Sequence, residues 1–167
     1  MGPLQFRAET RLNIYTDGAC STNGTWESGA AIVVYVNDRL LHQKGKYLGK
    51  ATNNIAELRA FEMALDYILA PIHFPENINI ISDSAYIVNC FNQKWYEKWE
   101  SNGWTTSQKK AVMNKEIWED ILRKYRKVIK LYKLEIIKTK GHSDDQFNNE
   151  VDRVAVYCKE HKEDYDK

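Results

Sequence analysis

The sequence predicts an α/β fold built on a mixed sheet, and three observations carry the prediction. Three strand-like stretches open the chain, Leu12 to Asp17, Ala30 to Asn37 and Leu40 to Leu48. The last two are joined by a short polar turn at Asn37-Asp38, the pattern of an antiparallel meander. A helix then covers about Asn53 to Leu69, where Leu58, Phe61, Leu65 and Ile68 recur at helical spacing and Pro71 ends the run. Ile78 to Asp83 is again an apolar strand, and a strand, a helix and a strand in that order favour parallel pairing through a right-handed crossover. Antiparallel and parallel neighbours in one sheet make it mixed. Further helices are predicted near Ser84 to Phe91, Asn114 to Ile129 and Asn148 to His161, with a strand at Leu134 to Thr139.

The 167 residues, 43% hydrophobic and 28% charged, suit one compact domain with a genuine core. Residues 1–11 are expected to be an N-terminal extension or cloning scar, 12–161 the folded domain and 162–167 a C-terminal tail. Lys and Arg number 24 against 23 Asp and Glu, so whole-molecule charge neither demands nor excludes a nucleic-acid partner. Cys20, Cys90 and Cys158 lie far apart with no CxxC spacing, as in a reducing compartment. No apolar run approaches a membrane span and the first residues lack a signal-peptide core. The expectation is an intracellular protein of the cytoplasm, with nuclear, organellar and viral settings open, no membrane and no obligate protein partner.

Four acids stand where chemistry is plausible. Asp17 is expected at the C-terminal end of the first strand, followed by Gly18, which would let the backbone turn. Asp83 ends the fourth strand in the same way, and ligands of open α/β sheets gather beyond strand carboxyl ends. Taken singly, an Asp at a strand end is more often a turn or cap residue. Glu57 shares a helical face with Phe61, Ala64 and Ile68; it reads either as an acid aimed at the sheet or as part of a capping box begun by Asn54. Asp152 interrupts the apolar side of the last helix beside Val151, Val154 and Ala155. Four carboxylates crowded together would raise one another's pKa unless cations hold them ionised. Two Mg²⁺ ions match four such charges and take oxygen ligands; Mn²⁺ is a possible substitute. In two-metal phosphodiester chemistry the ions sit about 4 Å apart. No Cys or His cluster has zinc spacing.

The blocks Tyr15-Thr16-Asp17-Gly18-Ala19-Cys20, Thr52-Asn53-Asn54-Ile55-Ala56-Glu57-Leu58, Ser82-Asp83-Ser84 and Gly141-His142 with Asn148-Asn149-Glu150-Val151-Asp152 resemble ribonuclease HI in order and spacing, from about Leu12 to Cys158. The resemblance implies the ribonuclease H fold, a five-stranded mixed sheet in the order 3-2-1-4-5 with helices on both faces. It also implies a metal-dependent endonuclease that cuts the RNA strand of an RNA·DNA hybrid, leaving 5′-phosphate and 3′-hydroxyl ends. Asp17, Glu57, Asp83 and Asp152 would be the metal ligands and catalytic acids, with Asp17 bridging the ions. His142 matches the family histidine that assists proton transfer or product release, work that suits a group titrating near neutral pH.

By the same resemblance the stretch from Lys94 through Trp95, Trp99 and Trp104 to Lys109 and Lys110 is a basic handle, where aromatics and lysines meet a nucleic-acid backbone. Those tryptophans could equally pack the helices together, as Trp118 is expected to do. Lys50, Thr52 and Asn114 match a pocket for a DNA phosphate, although Asn114 also reads as a helix N-cap. Asn23, Asn53 and Asn54 match positions that read the minor groove of the hybrid. Tyr86 joins the substrate-binding set. Ala85 departs from the longer side chains of relatives, and Asp144-Asp145 form an acidic loop expected to hold an extra cation or raise the pKa of His142. The alternatives are a reverse-transcriptase ribonuclease H domain, an integrase or transposase core on the same fold, and an inactive hybrid-binding module. Retention of all four acids speaks against the last.

Overall fold

The computed structural model describes residues 10–139 and 145–167. Strands β1 (Arg11–Cys20), β2 (Glu27–Val36) and β3 (Arg39–Lys50) form the antiparallel meander. Helix α1 (Asn53–Ile68) then leads to β4 (Asn77–Ser82), which pairs parallel to β1. Helices α2 (Ala85–Asn92), α3 (Trp95–Ser101) and α4 (Lys115–Leu131) precede β5 (Lys133–Lys138), parallel to β4, and α5 (Gln146–His161) follows. The mixed sheet agrees with the sequence, but it has six strands, in the order β5-β4-β1-β2-β3-β6. The expected five are joined by β6 (Tyr165–Asp166), antiparallel to β3. So short a strand carries no periodicity; it exists because the chain past α5 finds an open edge. Tyr165 donates its hydroxyl to Gln43 Oε1, and Tyr47 N–H donates to Asp164 Oδ1.

Strand alternation splits the core between the two faces. Leu12, Ile14, Ile32 and Val34 face α1 and α4, where Leu58, Phe61, Leu65 and Trp118 are fully buried. Ala19, Ala31, Val33 and Tyr35 face α5 and meet Val151, Val154 and Ala155. Gly29 lets α5 lie close, since a Cβ there would stand 2.4 Å from the Ala155 carbonyl oxygen. Cys20, Cys90 and Cys158 are free thiols. No helix among the described residues is long and apolar enough to cross a membrane.

Candidate active site

Register decides which acids meet. The β1–β4 ladder pairs Thr16 with Ser82, so Asp17 and Asp83 are the next residues on neighbouring parallel strands. Asp83 does follow the end of its strand, but Asp17 does not end β1, which continues to Cys20 with Asp17 opposite Ala31. The expected turn at Gly18 is therefore absent, and the glycine serves another purpose. By alternation Gly18 faces α1, and a Cβ there would lie 2.4 Å from the Ala56 carbonyl carbon and 2.5 Å from Glu57 N. Only a residue without a side chain lets the first turns of α1 press against β1. Across that gap Gly18 N–H donates to Glu57 Oε1 at 2.5 Å, and Glu57 in turn hydrogen-bonds Asp17.

Helix α1 is capped by Thr52, whose hydroxyl accepts from Ile55 N–H at 3.2 Å. The Asn54–Glu57 capping box is thus not formed, and Glu57 takes the sheet-facing role. One carboxylate oxygen from each of Asp17, Glu57 and Asp83 lies within 4.8 Å of the others. Asp152 comes from the opposite layer on α5; its own side chain is exposed, yet its carboxyl hydrogen-bonds Asp17. Burial first, then the charges of Glu57 and Asp83, push the Asp17 pKa far above the usual carboxylate range. Glu57 is also raised, chiefly by burial, against the lowering effect of its bonds to Asp17 and to the Gly18 amide. Among the described residues no Lys or Arg pairs with Asp17, Glu57 or Asp83. An all-oxygen donor set under mutual repulsion, with no protein cation to relieve it, fits a divalent metal ion.

Beside α1 lies a hollow of about 680 Å³ lined by Asn54, Tyr86, Trp95, Trp99, Lys110 and Asn114, with residues 105–108 also on its wall. Tyr86, Trp95 and Trp99 are half-buried. Tyr86 and Trp99 meet the fully buried Trp118 edge-on, at centroid distances of 5.8 and 5.5 Å, and Trp118 Nε1–H donates to the Tyr86 hydroxyl. These aromatics therefore both anchor α3 and line the hollow. Asn114 stands at the N-cap position of α4 in a left-handed conformation, with no side-chain capping bond. Its amide is not spent on the helix.

A sequence profile of the RNase H family matches residues 9–159. The ribonuclease H of Clostridium botulinum is 41% identical over 146 residues, which cover 87% of this chain and 93% of that protein. The chain belongs to the RNase H family. The fold is shared with the crystal structure of a type 1 RNase H carrying the type 2 active-site motif (TM-score 0.77, 20% identity, 93% of this chain and 74% of that one). It is shared too with LC11-RNase H1, solved in complex with an RNA/DNA hybrid (TM-score 0.65, 20% identity, 90% and 98%). Neither the reverse-transcriptase nor the integrase alternative is favoured, the Clostridium protein being a ribonuclease H matched over nearly its whole length.

Not every expected residue of this RNase H lies with the acids or the hollow. His142 and Asp144 fall outside the described residues. Asn53 is exposed on the first turn of α1, and Asn23 sits in the β1–β2 turn with its Oδ1 accepting from Thr25 N–H and Oγ1–H. Lys50 and Thr52 precede α1 outside the hollow's walls, and Lys109 is not among the residues that line it. Trp104 packs against Trp99 in a tilted arrangement but lines a different depression. Asp145, expected to hold a cation or act on His142, is the N-cap of α5. Its Oδ1 accepts from Phe147 and Asn148 N–H, and its Oδ2 accepts from Thr139 Oγ1 at 2.9 Å. With both oxygens engaged, it ties the end of β5 to the helix that carries Asp152. Sequence reading missed this role, although an Asp two residues before Phe147 is an ordinary helix-start signal. Lys98 and Asn102, which lie inside the expected handle but were not singled out within it, also form walls of the hollow.

Proposed function

We propose that this RNase H hydrolyses the RNA strand of RNA·DNA hybrids, leaving 5′-phosphate and 3′-hydroxyl ends. The observation that carries the proposal is the convergence of Asp17, Glu57 and Asp83, with Asp152 bonded to Asp17, at one end of the sheet. These four acids hold Mg²⁺, two ions with substrate bound, and Mn²⁺ substitutes. Such ions supply an activated water and offset the charge gathering on the scissile phosphate. Asp17, buried and in contact with both Glu57 and Asp152, would hold metal together with them, and the Gly18 amide fixes the Glu57 carboxylate beside it. His142, between β5 and α5, moves protons at the leaving group or helps release product.

The hollow at Tyr86, Trp95, Trp99, Lys110 and Asn114 receives the DNA strand, whose phosphates the lysine side chains neutralise; Trp104, Lys109, Lys50 and Thr52 extend that surface. Asn23, Asn53 and Asn54 face the minor groove, where amides bond 2′-hydroxyls without requiring a sequence. RNA selectivity then follows from pairing a 2′-hydroxyl-bearing strand at the acids with a DNA-like strand at the aromatics.

The deciding experiment incubates the protein with labelled RNA·DNA, RNA·RNA and DNA·DNA duplexes, with Mg²⁺ and with chelator. Cleavage of the RNA strand in the hybrid alone, lost with chelator, is the expected result. Equal cutting of DNA·DNA, or full activity without metal, defeats the proposal.

A further inference from the structure

The Trp99–Trp104 pair, with ring centroids 5.9 Å apart, separates two depressions. Trp99 lines the hollow described above, whereas Trp104 lines a second, of about 420 Å³, together with Arg123, Arg126, Lys127 and Lys130 from the C-terminal half of α4. From Arg123 to Lys133 the sequence carries Arg123, Lys124, Arg126, Lys127, Lys130 and Lys133 and not one acid. Much of this charge is already spent. Arg126 makes a two-pronged bond to Glu100, Lys124 pairs with Glu62 and Asp66, Arg123 with Asp120, and Lys133 with Glu76.

Lys127 and Lys130 are different. Both are exposed, both line the depression, and among the described residues neither has an acid within ion-pair distance. They lie one turn apart on the same helical face, with Arg123 one turn before, so the three cations form a row. Glu100 and Glu119 also line the site, but Glu100 is neutralised by Arg126. The helix dipole accounts for a cation in the last turn, such as Lys130. It does not account for a row of three facing a half-buried indole.

We propose that this depression binds single-stranded nucleic acid: a strand continuing beyond the hybrid held at the acid cluster. A cationic row that follows the phosphates, with an aromatic face on which a base stacks, is the chemistry that holds single strands regardless of sequence. A duplex offers no free base face to Trp104. Only the choice of the hybrid as the strand's source rests on the function proposed above.

The test measures affinity in the presence of chelator, so that no strand is cut, for four hybrids: blunt, tailed with oligothymidylate at the 5′ end of the DNA strand, tailed at the 3′ end, and a longer blunt hybrid of the same total length as the tailed ones. One tailed hybrid should bind roughly tenfold tighter than the blunt one. In the Lys127→Gln/Lys130→Gln protein that gain should vanish, and the salt slope for the tailed hybrid should fall by about 1.4, two phosphate contacts on a single strand. Metal-supported cleavage of the blunt hybrid should be unchanged, which also reports that the variant is folded. Free oligothymidylate is titrated in parallel, so the depression is assayed even if no hybrid is cut. Failure to cut the blunt hybrid counts against the proposed function alone, provided the lysine-dependent binding of oligothymidylate is seen. No gain from either tail, a gain that survives the double substitution, or an equal gain from a blunt hybrid of the same total length overturns the assignment.

Discussion

Replacing Gly18 by alanine adds one methyl group where β1 and α1 leave no room for it. The new carbon would stand 2.4 Å from the Ala56 carbonyl carbon, 2.5 Å from Glu57 N and 2.8 Å from Ala56 Cβ. Non-bonded carbons rest about 3.5–4.0 Å apart, so the first turns of α1 must retreat by about 1 Å. Overpacking of this kind costs about 1–3 kcal/mol. In a chain of 167 residues each kcal/mol lowers the thermal midpoint by about 2–4 °C, giving a fall of roughly 2–12 °C. The catalytic effect should be larger, because Glu57 rides on the displaced turns and loses its bond from the Gly18 amide. A misplacement of about 1 Å is worth roughly a hundredfold in rate. The assay compares kcat on a hybrid at saturating Mg²⁺, at a temperature where circular dichroism shows both proteins folded. Adding Glu57→Gln to Gly18→Ala should then cost far less than Glu57→Gln alone, since Gly18→Ala has already displaced the carboxylate that Glu57→Gln neutralises. A kcat within about twofold of the parent together with an unchanged midpoint would refute the claim that close packing at Gly18 sets the geometry of the acids.

Asp17→Asn should abolish hydrolysis and steady the metal-free fold at neutral pH. Because the folded-state pKa of Asp17 is raised, its contribution is favourable below the unfolded value of about 3.9 and is lost as pH climbs toward the raised value; pH 7 lies beyond the start of that loss. The midpoint of the variant in chelator should therefore exceed the parent's at pH 7, by on the order of 1 kcal/mol, and not at pH 3. A lower midpoint at pH 7, or retained turnover, would count against the repulsive cluster. Lys110→Ala should raise KM, leave kcat nearly unchanged and reduce the salt slope by about 0.9, whereas Lys109→Ala, outside the hollow, should do less. Steady-state kinetics at several salt concentrations would refute this if Lys109 proved the stronger contributor.

Much was legible in the sequence because its causes are local. The apolar spacing of Leu58, Phe61, Leu65 and Ile68 makes α1 wherever that segment is placed, and strand alternation fixes which residues of β1 and β2 face each layer. The acids were visible as charges at odds with those patterns, and the family resemblance rested on short blocks in order. Contacts between distant segments were not legible, since they depend on register and on which edges remain open. No local signal distinguishes a glycine that turns the chain from one that admits a helix, so Gly18 was read for the wrong reason. Likewise Asp145 looked like free charge until Thr139 was seen to approach its second oxygen. Tyr165 and Asp166 became a strand only because β3 offered them an unpaired edge. Trp104 parted from Trp95 and Trp99 for a comparable reason. Residues at nearby positions in sequence can face opposite sides of a packed helix pair, and only the packing of α3 against α4 decides which side each indole meets.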